Sequence, residues 1–234
     1  MDEVIVLNIY FEFQGMKDVI HPVILKDENE MILVDCGYTG CQVKIEEAIN
    51  AQGLDCRQLT KIIITHQDHD HMGALAYFKR KYPALQVIAS KAEAPYISGV
   101  KKNLRLEQAE MLQEILPENQ KAFGEAFCEI LKNVEPAEVA LTVKDGDIFP
   151  WCGGCEIIST PGHTPGHISL YLENKRMMIT GDAAFLENNR MMVANPQFTL
   201  DMDNANKSLA KILDYPADVF ICYHGGVYQR NRSN

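Results

Sequence analysis

Lysine and arginine are scarce in this chain: 22 of them stand against 32 aspartates and glutamates in 234 residues, a formal net charge of −10 at pH 7. A protein that grips nucleic acid by its phosphates normally shows a basic stripe. Here the basic clusters are short, Lys79-Arg80-Lys81 and Lys101-Lys102. The first falls in the last turn of an expected helix, where cations complement the helix dipole without any ligand. Nucleic acid is therefore not an expected partner. Long apolar runs are missing too, none approaching the roughly 18 residues of a membrane span, so no membrane partner is expected. The first residues, Met1-Asp2-Glu3-Val4, carry acids where a secretory signal would carry Lys or Arg, which predicts a cytoplasmic protein. A disulfide framework is also lacking: the cysteines at 36, 41, 56, 128, 152, 155 and 222 are odd in number and scattered. Only Cys152-Gly153-Gly154-Cys155 is a tight pair. Its glycines, flanked by Ile148-Phe149-Pro150-Trp151 and Glu156-Ile157-Ile158, predict a hairpin tip rather than a zinc or redox site. No repeat or low-complexity linker divides the chain, and its length suits one domain over 1–234.

What is present is concentrated. Residues 66–71, His-Gln-Asp-His-Asp-His, pack three histidines and two aspartates directly after the apolar run Lys61-Ile62-Ile63-Ile64 and Thr65. Imidazoles and carboxylates crowded this closely at a strand end suit a divalent cation, which takes several at about 2.0–2.2 Å and neutralises their charge. Three later apolar runs deliver further candidate ligands. His163 lies in Thr160-Pro161-Gly162-His163-Thr164-Pro165-Gly166-His167, a tight turn leaving Glu156-Ile157-Ile158-Ser159. Asp182 follows Met177-Met178-Ile179-Thr180-Gly181, and His224 follows Val219-Phe220-Ile221-Cys222-Tyr223.

In this order the motifs resemble the metallo-β-lactamase superfamily, whose pattern is His-x-His-x-Asp-His, a distant His, an Asp and a final His. The resemblance runs from Asp35-Cys36-Gly37 to His224. It implies an α/β fold, a four-layer αββα sandwich of two mixed sheets with outer helices. It implies two divalent metal ions, one held by His66, Asp68 and His163, the other by Asp70, His71 and His224, with Asp182 bridging. Asp68 departs from the pattern, which has histidine there. Keeping Asp70-His71 aligned leaves Asp68 as the ligand and turns His69 elsewhere, toward a substrate cleft. Zinc is the first choice of metal, and a carboxylate at Asp68 makes that site harder and moves preference toward iron or manganese. Asp35, closing a strand beside the loop, is implied to brace the histidines. His21 and His167 are read as ordinary structural histidines.

The activity the resemblance implies is hydrolysis of a small ester, thioester or lactone by a metal-bound hydroxide that Asp70 orients. Tyr223, beside His224, is a possible donor to the substrate's oxyanion. Two other classes stay open: an iron-dependent oxidoreductase of flavodiiron or persulfide dioxygenase type, whose flavodiiron members carry a carboxylate at the Asp68 position, and a weakly active sensor on the same fold. Metal content and an ester, thioester and lactone panel separate the three.

Along the rest of the chain, strands are expected at Val4 to Phe13, Ile20 to Lys26, Met31 to Val34 and Leu85 to Ala89. Ile45, Ala48 and Ile49 mark one helix, closed by Gly53, and Leu75, Phe78 and Tyr82 another, ended by Pro83. A helical-hairpin insertion is expected at about 103–133. Leu112, Ile115 and Leu116 share one face there, and Phe123, Phe127, Ile130 and Leu131 the next. Most of these should complete the core, while Phe123 and Phe127 wall a pocket over the site. A last helix near Asp203 to Leu213 should bury Leu209, Ile212 and Leu213.

Overall fold

The computed structural model describes residues 2–13 and 16–230. The first half runs β1 (Glu3–Val6), β2 (Ile9–Phe13), β3 (Met16–Ile20), β4 (Val23–Lys26), β5 (Met31–Val34), α1 (Gln42–Ala51), β6 (Lys61–Ile64), α2 (His69–Met72), α3 (Leu75–Lys81), β7 (Gln86–Ser90) and α4 (Ala94–Ile97). Then come α5 (Leu104–Ile115), α6 (Glu118–Lys132), β8 (Leu141–Val143), β9 (Ile148–Phe149), β10 (Cys155–Ser159), β11 (Ile168–Leu172), β12 (Met177–Gly181), β13 (Phe185–Glu187), β14 (Arg190–Met192), α7 (Met202–Asp214), β15 (Val219–Cys222) and β16 (Gly226–Gln229). No helix among the described residues is long and apolar enough to cross a membrane.

Two six-stranded mixed sheets form, in the orders β1-β4-β5-β6-β7-β8 and β16-β15-β12-β11-β10-β9. The central strands are apolar on both sides because both of their faces are covered. In β6, Ile63 points between the sheets toward Ile157, Leu170 and Ile179, while Ile62 and Ile64 pack outward against Ile45 and Ile49 of α1 and Phe78 of α3. Ile158, Met178 and Phe220 of the second sheet pack outward with Ile212 of α7. Helix, sheet, sheet, helix is the result, the αββα sandwich. Parallel pairing of β5, β6 and β7, and of β12 with β15, sends the ends of β5, β6, β12 and β15 to one edge. The site lies there.

Several details differ from the sequence reading. The expected strand from Val4 to Phe13 breaks at Leu7-Asn8: β1 pairs with β4 in the first sheet, whereas β2 pairs with β3 in a separate hairpin. Buried Leu7 marks the break, its N–H donating to the Pro22 carbonyl. The expected strand from Ile20 likewise divides at His21-Pro22, between β3 and β4. In α5 and α6 most of the apolar face does not enter the core. Ile115 is 77% and Phe123 59% exposed, and the buried apolar residues of the hairpin, Ala109, Cys128 and Leu131, form a cluster of their own. In α7 the buried stripe is Ala205, Ser208 and Ile212, with Leu213 on its exposed margin.

Gly73 lets the segment after α2 lie directly against the loop between β5 and α1. A methyl group built at its Cα would overlap backbone atoms of Tyr38, Thr39 and His69, none of which can swing away as a side chain can. Gly73→Ala is expected to cost about 3 kcal/mol or more, the scale of severe overpacking. Denaturant unfolding midpoints measure this, and an unchanged midpoint would contradict the crowding.

Candidate metal centre

The site is built on a bend. After β5, Asp35 takes the left-handed φ of +59°, rare for a residue with a side chain, and its carboxylate turns back under the loop that follows β6. Asp35 Oδ1 accepts from the Thr65 N–H at 2.8 Å, and Oδ2 from the Thr65 hydroxyl at 2.8 Å. The same oxygen is 2.8 Å from His71 Nδ1. With its own proton given to Asp35, the Thr65 hydroxyl can accept from His66 Nδ1, 3.0 Å away. Both imidazoles are thereby oriented through Nδ1, which leaves Nε2 to face inward, the arrangement expected of ligand histidines.

Two groups of ligand atoms converge, each group within 4.8 Å: His66, Asp68 and His163, and Asp70, His71, Asp182 and His224. In the first, Asp68 Oδ2 lies 3.0 Å from His163 Nε2 and 3.7 Å from His66 Nε2. In the second, Asp70 Oδ2 is 3.1 Å from His224 Nε2 and 3.6 Å from His71 Nε2. Asp182 stands between them, with Oδ1 3.3 Å from His71 Nε2 and Oδ2 3.5 Å from His163 Nε2. His66 Nε2 and His71 Nε2 are buried without a hydrogen-bond partner. Buried polar atoms are normally satisfied. Unpartnered inward nitrogens beside three buried carboxylates are what a cation site requires, so the donor set fits divalent metal ions.

The charges agree. Burial works against ionised Asp70 and Asp182, but the neighbouring His71 and His224 outweigh it and hold both carboxyls below their ordinary range. Asp68 is likewise held well below it, where burial is overcome by Arg105 and His163. Burial, helped by His71, lowers His66 and keeps it neutral, ready to give a lone pair. His71 and His224 go the other way: burial would lower them, but Asp182 and Asp70 raise both. Wherever those rings hold a proton on the ligating nitrogen, a cation must displace it. Its affinity should therefore fall with falling pH, by about tenfold per unit for each proton displaced. Competition titrations between about pH 6 and pH 8 test this, and a constant affinity would contradict it.

The remaining predicted residues have definite places. His69 is outside both groups, its ring between Tyr38 and Phe127 at centroid distances of 5.3 and 5.6 Å. Phe123 and Phe127 line a cleft of about 140 Å³ with Arg105, Leu112, Leu116 and Phe198. Tyr223 is corrected as a pocket residue and oxyanion donor: it is 3% exposed, packs in the core, and donates its hydroxyl to the Asp70 carbonyl oxygen at 2.6 Å. His167 is more than a core histidine, since Nε2 accepts the Asp182 N–H at 2.9 Å and so fixes that residue's backbone.

Three positioning residues had no signal in the sequence. Glu93 is fully buried and joins two loops: Oε2 accepts from the Gln67 N–H, and Oε1 from the Thr164 hydroxyl and the Gly166 N–H. Gln67 ties the same loop to the start of α5, its carbonyl accepting from Asn103 Nδ2 at 2.7 Å and its Oε1 from the Leu104 N–H at 2.8 Å. Arg105, 3% exposed, donates to Asp68 Oδ2 through Nη2 at 2.7 Å and Nε at 3.2 Å.

Comparison with known proteins agrees with this geometry. Residues 18–224 match the family model described as the metallo-beta-lactamase superfamily. The probable metallo-hydrolase YflN of Bacillus subtilis (strain 168) is 27% identical over 211 residues, covering 85% of this chain and 76% of its own. The hydroxyacylglutathione hydrolase of Rhizobium meliloti (strain 1021) is 26% identical over 73% of this chain, which spans about half (49%) of that enzyme's length. Among solved structures, a metallo-beta-lactamase family protein from Thermus thermophilus superposes with a TM-score of 0.76 at 22% identity, covering 97% of this chain and 74% of that one. With the family model spanning all four segments that carry the candidate ligands, the chain belongs to the metallo-β-lactamase superfamily.

Proposed function

We propose that this chain is a hydrolase of a small ester, thioester or lactone that works with two divalent cations, one held by His66, Asp68 and His163 and one by Asp70, His71 and His224, with Asp182 serving both. The observation that carries this is the pair of adjoining ligand groups whose inward nitrogens on His66 and His71 are buried and unpartnered. Cations bound there supply an acidified water as nucleophile and polarise the substrate's carbonyl.

The chain's own residues do the rest. Asp35 and Thr65 fix the two imidazoles, and His167 fixes the backbone of Asp182. Asp70 turns Oδ2 toward His71 and His224, leaving Oδ1 beside His69 at 3.6 Å, placed to orient a water and to hold a proton after attack. The half-buried ring of Phe127 touches His69 and also lines the α5–α6 cleft, so the cleft continues from the metal loop. Its walls, Leu112, Leu116, Phe123 and Phe198, suit the uncharged part of an acyl substrate. Likeness to a hydroxyacylglutathione hydrolase, whose named substrate is a thioester, supports the acyl-transfer class. Zinc is the first metal to test, with iron and manganese beside it because of Asp68.

Elemental analysis of protein purified without chelator, followed by a panel of esters, thioesters and lactones with and without chelator, tests the proposal. Two ions per chain and chelator-sensitive turnover are expected. One ion or none at saturating metal overturns the two-cation assignment, and bound metal with no turnover on the panel overturns the hydrolase assignment.

A further inference from the structure

Both groups contain carboxylates, but their electrostatic surroundings differ. Asp70 and Asp182 have no Lys or Arg paired with them among the described residues, and Asp35 adds a further carboxylate behind His71. The positive partners of that group are imidazoles, which can give up a proton to an incoming cation, and no fixed guanidinium or ammonium stands there. In the other, the sole carboxylate of the group, Asp68, is already paired. Moreover, Oδ2, the oxygen 3.0 Å from His163 Nε2 and 3.7 Å from His66 Nε2, is the same atom that accepts both hydrogen bonds from Arg105. A cation that takes this oxygen together with His66 and His163 shares it with a guanidinium, and one that takes Asp68 Oδ1, buried without a hydrogen-bond partner, still sits within a few ångströms of the same positive charge.

Arg105 cannot easily withdraw. Its Nη2 also donates to the Phe198 carbonyl at 2.6 Å and its Nη1 to Gln108 Oε1 at 2.6 Å. The turn of helix that carries it is tied to Gln67 by Asn103 and Leu104. An exposed ion pair would be screened and mobile, whereas this one is a fixed counter-charge built into the floor of the α5–α6 cleft.

We propose that the two cation sites are unequal by construction: the Asp70, His71, Asp182, His224 site fills first and tightly, and Arg105 holds the His66, Asp68, His163 site at low affinity. The second ion is then loaded only as the supply of cation rises. This rests on the two-cation reading above, and its consequence belongs to one residue that a simple ligand count ignores.

The test is a titration of the full chain, stripped by chelator, with Zn²⁺ against a competing chromophoric chelator. Two classes of site are expected, the weaker by about 100-fold. His66→Ala should delete the weak class and His224→Ala the tight one. Arg105→Met, which keeps the length of the side chain without its charge, should tighten the weak class by at least about tenfold and leave the tight class unchanged. Arg105→Lys, which keeps the charge, should leave the weak class weak. Equal affinities in the unsubstituted chain, loss of the weak class in His224→Ala, or a weak constant that stays or worsens in a folded Arg105→Met would overturn the proposal. If Arg105→Met does not fold, as circular dichroism will show, the two histidine variants decide. No Zn²⁺ binding at all would instead overturn the two-cation reading itself.

Discussion

Asp182→Asn is expected to lower hydrolysis by more than about 100-fold, beyond the range for groups that only orient a ligand, and to loosen both cations together. The carboxylate sends Oδ1 toward His71 and Oδ2 toward His163 and His224, at 3.3, 3.5 and 3.7 Å. Asparagine keeps the shape, and the backbone stays anchored by the Asp182 N–H to His167 Nε2. What disappears is a negative charge and one acceptor, replaced by an N–H₂ group that can only donate. Turnover and elemental analysis read the two effects separately. Loss of one cation with full retention of the other would show that Asp182 serves a single site.

Why the candidate ligands were legible and their supports were not follows from distance along the chain. Each candidate ligand sits just past an apolar strand, so residue type and position coincide within a few residues, as in Lys61 to His71 and Met177 to Asp182. Asp35 was legible for the same reason. Arg105 was not, because its partner Asp68 is 37 residues away and nothing in Asn103-Leu104-Arg105 distinguishes a buried arginine from a solvated one. Glu93 acts across 71 and 73 residues to reach Thr164 and Gly166. The layers followed from apolar periodicity combined with the family resemblance, but periodicity reports a face without saying what covers it. Hence Ile115 and Phe123, on good helical faces, lie largely exposed beside a cleft. At Leu7-Asn8 no glycine or proline punctuates the run, so the passage from one sheet to a separate hairpin left no trace. Tyr223 faces away from the site because adjacency to His224 in sequence means opposite faces in an extended chain, and its ring lies against His71 from the core side.

The largest stability effect is expected at Asp68, and it separates the ligand from its neighbour. Asp68→Ala should leave the His66 and His163 site unfilled at cation concentrations that saturate the unsubstituted chain, and hydrolysis should largely cease. It also strands the Arg105 guanidinium, 3% exposed, without its carboxylate, which should cost about 3–5 kcal/mol. Lost activity alone would thus confuse a missing ligand with a loosened fold. The double variant Asp68→Ala/Arg105→Met separates these causes, because removing both members of a buried pair is often close to neutral while removing one is not. It should recover most of the thermal stability and still fail to fill the site. His69→Ala should behave differently from both. That ring lies against Tyr38 and Phe127, outside both ligand groups, so both cations should stay bound and the change should appear in KM. Should His69→Ala strip a cation while Asp68→Ala keeps two, the ligand would be His69, and the loop would have to present its side chains one residue out of this order.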